Sequence, residues 1–278
     1  MLGLAVAVFY GAGDFLGGLS SKRNRAVTVV ATAQVCSLLF LVGLLLIGRP
    51  PPPAGDDVLL GAASGMAGLV GLVLLYRGLA AGAMGVIAPL TGVGAAVLPV
   101  GWGLLQGERP PAVSLLGAIA ALAAVVLVSG AGGGARPAHA VVHRADLALA
   151  LAAGASFGVV FILLGQVAEE SGFWPLVAAR SVQVGLIGAV LLATGAPALA
   201  APGSRVTAAA AGVFDVTANG VFLLAVREGL LSLVAVLSAL YPATTVVLAR
   251  AVLHERLSRA QVAGLLLALV GVGLIAAG

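Results

Sequence analysis

A chain of 278 residues with 61% apolar and 9% charged side chains lies far below the roughly 25% charge content of soluble domains, which excludes a water-soluble globular protein. Its net charge of +4 comes from 14 Lys and Arg against 10 Asp and Glu, scattered mostly at the ends of apolar runs. Such dispersion suits anionic lipid headgroups and excludes the clustered basic stripe of a nucleic-acid-binding face.

A helix crosses hydrocarbon in about 20 apolar residues, and runs of that length recur along the chain. The first covers residues 2–20; no Lys or Arg precedes Lys22, so the basic leader of a signal peptide is missing and a retained helix is expected. The second, 27–48, contains the single cysteine, Cys36, which leaves no internal disulfide and reads as a small core residue. Arg49 and the prolines Pro50 to Pro53 end it, because proline cannot continue a helix. Spans at 58–76, 83–105 and 112–130 follow, the last two separated by Gly107-Glu108-Arg109-Pro110-Pro111. Beyond the glycine-rich segment that starts at Gly132, further spans are predicted at 146–165, 174–194, 206–225, 231–251 and 260–277. The strict alternation of a membrane β-barrel is absent. The predicted fold is therefore all-α, with ten transmembrane helices and short loops.

An internal repeat organises these helices. Residues 82–131 and 229–278 align without a gap at a shift of 147, bringing Gly82 onto Gly229, Ala88 onto Ala235, Gly117 onto Gly264 and Glu108-Arg109 onto Glu255-Arg256. Upstream, Gly11-Ala12 falls on Gly154-Ala155 at a shift of 143, and Gln34 lies opposite Arg180 if three residues are inserted. Five helices per copy is an odd number, so the second copy enters the membrane from the opposite side. Inverted repeats of this kind are common in secondary transporters, with the substrate site near the midplane between the copies.

The chain resembles the drug/metabolite transporter superfamily and, within it, the ten-helix EamA type. The resemblance rests on Gly107-Glu108-Arg109-Pro110 and His254-Glu255-Arg256-Leu257, each preceding the last span of its repeat, and on Ala88-Pro89-Leu90-Thr91 and Leu237-Ser238-Ala239-Leu240-Tyr241-Pro242. Two segments depart from the family pattern: His254 stands where glycine is usual, and Tyr10-Gly11-Ala12-Gly13-Asp14-Phe15 replaces the commoner Trp-Gly-Ser-Asn-Phe type. The resemblance implies one EamA-like repeat over residues 1–131, a linker over 132–145 and a second repeat over 146–278. It further implies a carrier that moves amino acids, other metabolites or drug-like solutes by alternating access, often outward, in a cell membrane such as the bacterial inner membrane, with both termini inside.

Charges inside a membrane cost about 2.5 to 3.5 kcal/mol each on insertion scales, so every one is a functional candidate. Asp14, Arg180 and Asp215 lie within predicted spans, accompanied by Gln34, Gln183, Asn219 and Tyr241. Positions three or four apart share a helix face, which groups Tyr10 with Asp14, Asp215 with Asn219, Arg180 with Gln183 and Ser238 with Tyr241. One reading is a polar cavity in which Asp14 and Asp215 take protons or a substrate cation while Arg180 takes a carboxylate. The other is a structural ion pair between Arg180 and either aspartate, with the amides as interhelical glue. Pro89, Pro99 and Pro242 lie inside the fourth and ninth spans and read as hinges or as static kinks. Glu108-Arg109 and Glu255-Arg256, at helix ends, suggest a structural task such as capping or loop pairing.

Other functions remain open on the sequence. Gly11-Ala12-Gly13-Asp14, with Asp215 as a second carboxylate, has the spacing of an intramembrane aspartyl protease motif, and a non-transporting or lipid-handling membrane component would share the hydropathy. A Gly-x4-Gly-Lys-Ser/Thr phosphate loop is absent. No cofactor or metal is expected. The expected partners are a small-molecule substrate and the bilayer; glycine pairs such as Gly13 with Gly17 and Gly61 with Gly65 favour close helix approach and leave a homodimer open. The loops after odd-numbered helices carry most of the Lys and Arg, which by the positive-inside rule places them in the cytoplasm and both termini outside, against the family expectation.

Overall fold

Backbone N–H and C=O groups find no water in hydrocarbon, so each apolar run satisfies them internally as a helix. The computed structural model describes the chain except at residues 50, 52, 54, 81–83, 131–143 and 255–256 and for the side chains of 76–80, 84–89, 130, 144 and 146. In chain order the helices are α1 (Leu2–Ser21), α2 (Ala26–Gly48), α3 (Gly55–Ala80), α4 (Met84–Leu105), α5 (Ala112–Gly130), α6 (Arg144–Gly165), α7 (Trp174–Thr194), α8 (Arg205–Glu228), α9 (Leu231–Ser238), α10 (Tyr241–Leu253) and α11 (Arg259–Ala277). Among the described residues, nine stretches are long and apolar enough to cross a membrane, and α4 adds a shorter one, Leu90–Leu105. The chain is an all-α, multi-pass membrane protein.

Differences from the predicted spans have physical causes. The third helix begins at Gly55, ahead of the expected start, because Asp56 and Asp57 fall in its first turn, where carboxylates favour the positive end of the helix dipole. The ninth span is two helices. Ala239 and Leu240 form a turn between α9 and α10, and Pro242 sits in the first turn of α10, where its missing N–H costs nothing. The fourth span, by contrast, runs unbroken through Pro99, which is fully buried. The remaining proline of the three, Pro89, also lies in α4, and its side chain is among those not described. The expected linker 132–145 lies outside the described residues except for its last two, which open α6.

Helix ends follow local chemistry. Arg49, Gly195 and His254 cap α2, α7 and α10 in the left-handed conformation, at φ of 44°, 61° and 56°. Gly107, which the repeat aligns with His254, also has positive φ, at 92°. A capping box joins Ser258 and Gln261 at the start of α11. The Glu108 carboxylate accepts the backbone N–H groups of Leu231 and Ser232 at 2.8 and 3.1 Å, capping α9. Glu255 and Arg256 lie outside the described residues.

The sequence repeat reappears in the packing. Small residues allow helices to touch backbone to backbone, and where they do so the contacts come in pairs. A Cβ at Gly117 would meet Gly271 and Ile275, and one at Gly264 would meet Val128, the residue the shift of 147 relates to Ile275. Gly65 abuts the Ala179 backbone, while Gly212 abuts Ala33. Gly11 lies on Tyr241, and its counterpart Gly154 lies on Gly94, the position equivalent to Tyr241. These are the seams α5–α11, α3–α7, α2–α8, α1–α10 and α4–α6, and each joins one half of the chain to the other. Gly13 faces the Ala211 backbone in the same manner and Gly17 lies against the Ala211 side chain, bringing α1 onto α8.

Candidate functional site

A cavity of about 180 Å³ lies among α1, α2, α3, α4, α6, α7, α8 and α10, where the two halves meet. Eight of the residues selected from the sequence line it: Tyr10, Asp14, Gln34, Arg180, Gln183, Asp215, Asn219 and Tyr241. A hydrogen-bonded chain connects most of them. Tyr10 Oη donates to Asn219 Oδ1 at 3.0 Å, and Asn219 Nδ2 donates to the Asp215 carbonyl one turn back at 2.8 Å. Arg180 Nη2 pairs with Asp215 Oδ2 at 2.6 Å. Arg180 Nη1 donates to Gln34 Oε1 at 2.9 Å and to Gln183 Oε1 at 2.8 Å. Gln183 Nε2 in turn donates to the Gly65 carbonyl at 3.2 Å.

Arg180 is 6% exposed in its side chain, against 39% for Asp215. The guanidinium is thus buried behind its partners, while the carboxylate still reaches the lumen. Burying a lone guanidinium would be prohibitive; three oxygen acceptors make it tolerable, although Arg180 Nε has no hydrogen-bond partner among the described residues. Gln34 and Arg180 were aligned by the repeat, and here they touch across its axis. Asp14 differs. It is open to the cavity and has neither a hydrogen bond nor an ion pair among the described residues. With both aspartates ionised, the lumen carries one more negative charge than positive.

The remaining candidates fall elsewhere. Ser238 is fully buried and donates to the Val234 carbonyl of its own helix at 2.7 Å. The expected shared face with Tyr241 assumed a continuous helix, and the turn at Ala239 and Leu240 separates the two residues. Neither Pro99 nor Pro242 lines the cavity.

Sequence reasoning missed the apolar wall. Leu69, Leu72 and Leu75 of α3 and Phe157, Val160 and Phe161 of α6 face the polar side. Tyr10 contacts both the Phe161 and Tyr241 rings, with centroids 6.3 and 6.4 Å apart. Leu and Phe in a membrane helix look the same in sequence whether they meet a lumen or lipid. Only Gly65 and Gly68, on the helix that carries the noted Gly61/Gly65 pair, gave a sign that α3 approaches something closely; Gly68 faces Gln183.

A bundle of membrane helices built as two interlocked copies around a polar cavity is the architecture of a membrane carrier. Residues 145–277 match the sequence model of the EamA-like transporter family, part of the drug/metabolite transporter superfamily. A solved crystal structure of a protein shares the fold at a TM-score of 0.75 and 19% identity, over 98% of each chain. No curated protein matches the sequence.

Proposed function

We propose that this membrane transporter carries a small amine-bearing metabolite by alternating access, with Asp14 binding the cation and a proton in turn, so that amine leaves the cell as protons enter. The observation that carries this reading is the inequality of the three charges. Arg180 is committed to Asp215, Gln34 and Gln183, which leaves Asp14 as the lumen's uncompensated carboxylate. An ammonium group would gain the Asp14 charge and the faces of Tyr10 and Tyr241. The substrate's apolar part would rest on Leu72, Phe157 and Val160. A cavity of about 180 Å³ lies below the roughly 300–1,000 Å³ of drug-sized sites, which favours a small solute.

The aspartyl protease alternative requires two carboxylates sharing a proton. Asp215 is instead engaged by Arg180, which favours the carrier.

Purified protein in liposomes with a pH gradient tests the proposal. A panel of small amines should dissipate the gradient and raise the thermal stability of the protein. Asp14→Asn should reduce amine-driven proton flux at least tenfold while the variant still folds. Coupled flux by Asp14→Asn at the native rate, or a response to carboxylates and none to amines, would sink the assignment.

A further inference from the structure

The inverted repeat makes the two membrane faces alike in fold, yet they are unlike in charge. Hydrogen bonds between loops define each face. Asn24, after α1, accepts the N–H of Ala201, after α7, at 2.8 Å, and Thr28 donates to the Pro197 carbonyl at 2.8 Å. On the other face, Asp57 accepts the Ala168 N–H at 3.2 Å and the Ser171 hydroxyl at 2.5 Å, and Glu108 caps α9. The last residue, Gly278, lies against Pro111 and Ser114 on that second face.

Of the Lys and Arg among the described residues, eight belong to the first face, three to the second, and Arg180 to the cavity. The Asp and Glu among the described residues divide the other way, with one on the first face, six on the second and two in the cavity. On the first face Lys22, Arg23, Arg25, Arg205 and Arg259 are all exposed. Asp56, Glu169, Glu170 and Glu228 are exposed on the second. Since the fold itself is indifferent to inversion, this charge difference is what can orient the chain, and basic loops remain on the cytoplasmic side where anionic headgroups attract them.

We propose that the basic face is the cytoplasmic one, resting on the anionic headgroups of the inner leaflet, and that both termini and the Asp57 and Glu108 clasps lie on the outer side. This reverses the orientation that the family resemblance carries, and it stands whether or not an amine is the cargo.

Single-cysteine labelling tests it. In a Cys36→Ser background, a membrane-impermeant maleimide is applied to spheroplasts of a bacterial host expressing Glu169→Cys or Ala201→Cys. Both positions are exposed and they mark opposite faces. Glu169→Cys should label before lysis and Ala201→Cys only after it, with both labelling in detergent as the control for folding. The reverse pattern, or labelling of both or neither before lysis, overturns the proposal. In a second arm, K22Q/R23Q/R25Q should turn a measurable fraction of molecules over, exposing Ala201→Cys. An orientation indifferent to that triple change would remove the headgroup contact from the explanation and overturn that part of the proposal.

Discussion

Arg180 would be intolerable in this bundle without its partners, and its energetics separate it from Asp14. Removing one member of a buried pair strands the other. Asp215→Asn should therefore lower stability by about 1–3 kcal/mol, the lower end being set by the lumen access of Asp215, read as a drop in the midpoint of thermal unfolding in detergent. Replacing both, as R180M/D215L, should recover most of that loss, since hydrophobic residues of similar volume often replace an ion pair without cost. If the double variant were less stable than either single one, the pair would be more than a neutralising device. The polar lining was legible in the sequence because Asp14, Arg180, Gln183 and Asp215 stand out in hydrocarbon. Which charge is paired was not legible. Spacing grouped Arg180 with Gln183 on one helix, but its ion pair with Asp215 depends on how α7 and α8 meet, and the apolar wall of Leu72 and Phe157 left no mark.

Among the elements, helix ends were readable where Pro, Gly and charge cluster, and the break in the ninth span was not. Pro242 announced a bend, but a proline in the first turn of a new helix and one inside a kinked helix look identical until the turn at Ala239 and Leu240 is seen. His254 is the counterpart of Gly107 in both alignment and backbone sign, and a side chain in the left-handed region costs about 1–2 kcal/mol. His254→Gly should therefore stabilise the protein, by about 1 kcal/mol after the added freedom of the unfolded chain is counted; a lower unfolding midpoint would contradict the reading. Glu108→Gln should cost about 0.5–2 kcal/mol, the range for loss of a helix cap, by the same measurement. Gly212→Ala should cost about 1–3 kcal/mol through overpacking, because its Cβ would collide with the Ala33 backbone, whereas Gly18→Ala, with open space around it, should change little.

For the molecule as a whole, the repeat was visible at the Glu-Arg pairs and at Gly117 and Gly264, and the weaker shift in the first helices is matched by the contacts of Gly11 and Gly154. The scaffold is symmetric but the site is not. The repeat places Gly68 opposite Asp215, Phe157 opposite Asp14 and Gln34 opposite Arg180, so the charged residues of the site break the symmetry of its frame. The interlocking of the two halves also governs how such a chain is made. Apart from α4 with α5, the extensive helix pairings join the first half to the second, so a nascent chain that has released only its first five helices holds glycine seams with nothing to close them. Translation must run into α11 before α5 gains its main partner. A product ending after residue 131 should be cleared by membrane quality-control proteases, and co-expression of residues 132–278 should rescue it, as judged by its level on immunoblots. Accumulation of the first half alone would mean that the bilayer tolerates the unfinished protein better than its seams suggest.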